Sequence, residues 1–138
     1  MKYDDWVNSV PELIKGDAVW QMEVYRLGLF VSDIAWHDVT KLLGDARTVK
    51  LADQLYRAVG SITANIEEGY SYGTGKNRAR YYQYALGSAR ESRGWYYKGR
   101  HILGEKITNH RMQLLTGIIR SLLVIVPKQK GYQLKEQQ

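Results

Sequence analysis

The sequence predicts an all-α chain folded as an antiparallel, up-down-up-down four-helix bundle. Three observations carry this. Apolar residues recur at three-and-four spacing in four segments, the pattern of helices that each bury one face. Breakers separate the segments: Gly16-Asp17, Gly44-Asp45, the loop from Tyr70 to Gly75, and Gly104. The length of 138 residues, with 44% hydrophobic and 25% charged, is that of one ordinary globular domain. Short connections between long helices make neighbours antiparallel.

The start of the chain, which contains Pro11, reads as irregular. Gly16-Asp17 reads as a turn and N-cap. It opens a first helix over about 18–43, with Trp20, Val24, Leu27, Val31, Ile34 and Ala35 on one face. A second helix, about 46–68, carries the stripe Leu51, Leu55, Ala58, Val59, Ile62 and Ile66. Gly69 stands where a left-handed residue commonly closes a helix. After the loop YSYGTG, a third helix spans about 76–102. A fourth covers about 108–126 and stops at Pro127. Its apolar set is Leu114, Leu115, Ile118, Ile119, Leu122, Leu123, Ile125 and Val126. That is wider than one core-facing stripe needs, which predicts a second buried contact and hence self-association. The tail, 127–138, reads as solvated and disordered.

Composition excludes several functions. There is no cysteine, so a disulfide framework, thiolate metal sites and a cysteine nucleophile are ruled out, and a reducing cytoplasm is expected. MKYDDWVNSVPEL lacks the basic-then-apolar order of a signal peptide. The most apolar run, Leu122 to Val126, is far short of the about 20 residues a membrane span needs. His37, His101 and His110 are scattered and form no metal-binding pair. Glu67 and Glu68 point about 100° apart on a helix and cannot face each other as an acid pair. GYSYGTGKN fails as a phosphate-binding loop: its spacing is too long, Asn77 replaces the hydroxyl residue, and a helix precedes it. No catalytic residue, cofactor or metal is expected.

The net charge is +6, and its origin is local. Between Gly69 and His101 stand seven basic residues (Lys76, Arg78, Arg80, Arg90, Arg93, Lys98 and Arg100) against one acid, Glu91, leaving thirteen of each sign elsewhere. The same stretch holds seven of the eleven tyrosines, together with Trp95. On a helical wheel Tyr82, Ala85, Ala89, Ser92, Tyr96 and Leu103 share one side, and Lys76, Arg80, Arg90 and Lys98 gather opposite, within roughly 80°. All seven basic residues, with Arg78, Arg93 and Arg100 flanking the core stripe, are the expected nucleic-acid contacts, because basic side chains neutralise phosphates and tyrosines stack on unpaired bases.

Val59 to Tyr70 reads VGSITANIEEGY; Gly87, Ser88 and Glu91 follow in ALGSARE, and Val19-Trp20-Gln21 precedes. These motifs resemble the four-helix-bundle family of rRNA intervening-sequence proteins. Ser61, Ile62, Ala64, Asn65, Ile66, Glu68 and Gly69 match its S-I-P-A-N-I-A-E-G helix, with Thr63 in place of proline and Glu67 in place of alanine. Gly87, Ser88 and Glu91 match its G-S-x-x-E-L helix, with Ser92 in place of leucine. The resemblance covers about 18–126. It implies a small antiparallel bundle that assembles into a ring-like homopentamer. The architecture is also similar to the accessory variability proteins of diversity-generating retroelements, which implies a nucleic-acid enzyme such as a reverse transcriptase as a partner.

On the second helix Ser61, Asn65 and Glu68 lie within roughly 60° of one another, and Ser88 and Glu91 share an edge of the third. Antiparallel packing joins these five in one expected polar network that specifies helix pairing. The expected function is a non-catalytic, oligomeric RNA- or DNA-binding or adaptor protein. The alternative is a protein–protein interaction scaffold without nucleic-acid contact.

Overall fold

The computed structural model describes residues 1–131, and every element among them is helical. The order is α1 (Tyr3–Ser9), α2 (Glu12–Lys15), a 3₁₀ turn (Ala18–Gln21), α3 (Glu23–Leu42), α4 (Val49–Tyr70), α5 (Gly75–Lys98), α6 (Arg100–Leu103) and α7 (Glu105–Gln129). Helix α3 packs on α4, α4 on α5, α5 on α7, and α7 closes back on α3. Cross-contacts fix antiparallel registers. Tyr25 meets Glu67 while Trp36 meets Tyr56 across α3 and α4. Ser61 meets Ser88 across α4 and α5. Val31, Leu42, Leu55, Val59, Ile62 and Ile66 from α3 and α4 are fully enclosed with Leu115, Ile118 and Leu122 from α7. None of the described helices is long and apolar enough to cross a membrane.

The start of the chain is ordered rather than irregular. Helix α1 lays Trp6 into the core, only 3% exposed, against Tyr3, Trp20 and Phe30. The first long helix begins at Glu23, not at 18. Asp17 accepts a hydrogen bond from the Val19 N–H at 3.0 Å and caps a 3₁₀ turn instead. Met22 is extended (φ −78°, ψ 115°), which separates that turn from α3. Between α3 and α4, Asp45 accepts from both the guanidinium and the backbone N–H of Arg47, which hold its carboxyl down at about 2.

Gly69 does not close α4 in a left-handed conformation. The described residues contain one positive-φ glycine, Gly104 (φ 87°), which separates α6 from α7. Helix α4 runs on to Tyr70, and the Ser71 N–H satisfies the Glu67 and Glu68 carbonyls. Gly69 serves close approach: a Cβ there would stand 2.9 Å from Tyr81 Cβ and 2.9 Å from Tyr82 Cε1. Gly69→Ala must therefore push α4 and α5 apart. The expected loss is about 1–3 kcal/mol, the ordinary cost of overpacking, read as a lowered urea midpoint. An unchanged midpoint would refute the close-approach account.

The remaining boundaries move for local reasons. Helix α5 stops at Lys98 because Gly99 leaves helical geometry (φ −85°, ψ 2°). Helix α7 begins at Glu105 and carries Pro127 inside its last turn. Proline's fixed φ is already helical; it gives up the hydrogen bond to the Leu123 carbonyl and crowds that carbonyl with its ring, on a turn where Leu123 and Val124 are exposed to water. Residues 127–129 are thus helical, not tail, 130–131 form a turn, and the remainder of the expected disordered tail, 132–138, lies outside the described residues. On α7, Leu115, Ile118, Ile119, Leu122 and Val126 are buried, Leu114 and Ile125 are half-buried, and Leu123 is exposed.

Candidate nucleic-acid interface

Helix α5 is held by its buried side. Thr74 caps it, its hydroxyl accepting from the Asn77 N–H at 3.4 Å. Tyr82, Ala85, Ala89, Ser92 and Tyr96 then turn into the core. The helical period leaves Lys76, Arg80, Arg90 and Lys98 on the outer side, and all four are exposed. Glu91, the one acid of the segment, is exposed beside them and accepts from Trp95 Nε1 at 3.0 Å.

The other three basic residues have different surroundings. Arg78 is buried. Its Nε donates to the Tyr72 carbonyl and its Nη2 to the Tyr70 carbonyl, both at 2.9 Å, and it lies over the Tyr70 ring. It ties the α4–α5 loop to α5, so its charge is spent inside the fold. Arg93 is half-buried and donates to Thr116 Oγ1 on α7 at 3.1 Å. Arg100 belongs to α6, where it donates to the Tyr97 carbonyl and lies 4.0 Å from the centre of the Tyr97 ring.

Aromatic rings accompany the exposed cations. Lys98 Nζ stands 4.4 Å from the Trp95 ring centre, and the Arg80 guanidinium 5.1 Å from that of Tyr81. Tyr81 stacks on Tyr72 at 5.3 Å and meets Tyr84 at a right angle. The Tyr72 hydroxyl is held above its ordinary pKa, chiefly by its hydrogen bond with Tyr81. Arg80 also lines a cavity of about 530 Å³ between the start of α5 and the end of α7, together with Lys76, Asn77, Ala79, Gln83 and Lys130. Lys130 had no signal in the sequence, because its approach to α5 depends on how α7 packs.

The structure brings together three of the five expected network residues. Ser88 Oγ donates to Ser61 Oγ at 2.9 Å, and Asn65 Nδ2 donates to the same oxygen and to the Ser61 carbonyl. All three are half-buried along the α4–α5 seam. Glu68 is exposed on the next turn, and Glu91 bonds Trp95 rather than the seam.

A stronger polar cluster lies elsewhere. Asp38 on α3 is 1% exposed and receives Arg111 Nε at 2.8 Å, Arg111 Nη2 at 3.1 Å and the Tyr96 hydroxyl at 2.7 Å. Burial, then the Asp38 charge, pushes the Tyr96 phenol well above its usual range. Arg111 Nη1 also contacts His110 Nδ1 at 2.8 Å, and burial followed by the Arg111 charge holds His110 below its ordinary value. One signal could have found Asp38: it lies four residues beyond Ile34, on the apolar stripe of α3. Among the described residues no group of His, Cys, Asp and Glu could hold a metal ion.

Comparison with known proteins adds a family and a fold. The family model described as 23S rRNA-intervening sequence protein matches residues 21–124. A crystal structure of a protein of unknown function from the S23 ribosomal protein family of Bacteroides thetaiotaomicron is similar, with a TM-score of 0.70 and 19% identity over 75% of this chain and 97% of that one. No curated protein matches the chain.

Proposed function

Because the chain belongs to the 23S rRNA-intervening sequence protein family, we propose that it is a non-catalytic, oligomeric nucleic-acid-binding protein whose contact surface is the outer face of α5. One observation carries the reading: Lys76, Arg80, Arg90 and Lys98 are exposed along one side of a single helix whose other side is core. From Lys76 to Lys98 the row is about 33 Å long at the helical rise, enough to follow several phosphates. Arg78 is left out of this surface, since its donors serve the α4–α5 loop. RNA and DNA share the phosphate chemistry this row recognises.

In the same reading the four long helices are the family's up-down-up-down four-helix bundle, and the bundle assembles into a ring-like homopentamer in the cytoplasm. Exposed apolar side chains support self-association: Leu123 and Val124 on α7, and Trp36, Leu43 and Tyr56 on α3, its end and α4. Repetition around a ring would multiply the basic face, which suits an adaptor that presents nucleic acid to an enzyme such as a reverse transcriptase.

Fluorescence anisotropy with labelled RNA tests the surface. Four phosphate contacts on a single strand lower affinity about fiftyfold between roughly 50 and 200 mM salt. The triple variant Arg80→Glu, Arg90→Glu, Lys98→Glu should bind more than tenfold more weakly while keeping its helical circular dichroism. Affinity that ignores salt, or survives the triple reversal, overturns the proposal and favours the interaction-scaffold alternative.

A further inference from the structure

Building on the reading of α5 as a nucleic-acid surface, we infer that the N-terminal end of α5 seats one nucleotide of a single strand, with the phosphate in the cavity between Lys76, Arg80 and Lys130 and the unpaired base against Tyr84. The cavity's described lining holds three cations and no carboxylate. Two of the cations come from α5 and the third from just beyond the end of α7, so packing forces like charges around one hollow. Like charges gathered around one hollow repel one another, and an anion seated there relieves the repulsion. Asn77 and Gln83 supply neutral hydrogen-bonding groups in the same wall.

The aromatic group that Arg80 joins to the cavity sets the class of nucleic acid. Tyr84 is 52% exposed, and Tyr81 braces it at 89° with 5.5 Å between ring centres. Tyr81 is itself stacked on Tyr72 at 11°. Arg80 links the two halves of the seat, since it lines the cavity and also lies over the Tyr81 ring. Arg80 and Tyr84 are one turn apart, so their Cβ atoms are about 5–6 Å from each other, comparable with the reach from a phosphate to its own base. A ring presented from a convex helix finds a free π-face only on an unpaired base, because in a duplex both faces are covered by neighbouring pairs. The seat therefore favours a single strand over a duplex, a preference the phosphate row alone does not require.

The test measures anisotropy of a short labelled oligouridylate and of an RNA duplex of equal length at one salt concentration. The single strand should bind at least tenfold more tightly. Tyr84→Ala should weaken single-strand binding about tenfold, within the range for loss of one stacked base, and Tyr84→Phe should preserve it. Lys130→Glu should weaken it at least tenfold. Both positions are exposed, so the fold should be spared, and circular dichroism checks this. Equal affinity for strand and duplex, or an inert Tyr84→Ala, overturns the base seat while salt-dependent binding leaves the α5 surface standing. An inert Lys130→Glu overturns the phosphate seat. Absence of binding to either RNA overturns the surface and the seat together.

Discussion

Asp38→Ala is expected to remove about 3–5 kcal/mol of folding stability, the loss typical of breaking a buried ion pair from one side. Asp38 is 1% exposed, and the Arg111 side chain is 16% exposed. Arg111 approaches fork to carboxylate, and Tyr96, itself fully buried, donates to the same Oδ2. Removing the carboxylate strands the fully buried Tyr96 hydroxyl and leaves a largely buried guanidinium without its partner. The cost comes from those orphaned partners more than from the lost attraction. The double variant Asp38→Leu, Arg111→Met should therefore be less damaging than Asp38→Ala alone, since it removes both charges at once. Urea unfolding curves for the three proteins check this. A single-variant loss below about 1 kcal/mol would show the pair to be solvated like a surface salt bridge.

Trp6→Ala should cost a similar amount, about 3–5 kcal/mol for truncating a buried tryptophan. Helix α1 has seven residues, too few to hold its own shape in water. It stays in place because Trp6 fits against Trp20 and Phe30, because Tyr3 also meets Phe30, and because the Trp6 Nε1 donates to Asp33 Oδ2 at 2.6 Å. Without the indole, α1 should leave the surface and bare the Trp20 and Phe30 rings. Two readings follow: a lower urea midpoint, and early proteolysis near the N-terminus under native conditions. Asp33→Asn separates the contributions, since it spares the packing and should cost only about 1 kcal/mol. If Trp6→Ala leaves both the midpoint and the proteolysis pattern unchanged, α1 contributes nothing to the fold.

Trp6 also shows where the sequence stops being readable. Seven residues near Pro11 carry no sustained period, and the one buried indole is indistinguishable from a surface aromatic until Phe30 and Trp20 close around it. The rRNA intervening-sequence motifs were legible for a different reason. They are local strings, and they located the half-buried seam of Ser61, Asn65 and Ser88 without showing that Glu68 and Glu91 stand outside it. Gly69 was visible as a helix-end glycine, yet its role is set by Tyr81 and Tyr82 on the following helix.

The sequence alone determined the helical character, the core stripes and the outward placement of Lys76, Arg80, Arg90 and Lys98. Each depends only on period within one helix, and a helix presents the same faces whatever packs beside it. Tertiary structure alone decided that Arg78 is consumed by two loop carbonyls, that Lys130 joins Lys76 and Arg80 around one cavity, and that Asp38 is neutralised by Arg111. Each of these depends on which turn of one segment meets another. That register is set by whole faces fitting together, so no single residue's neighbours in sequence record it.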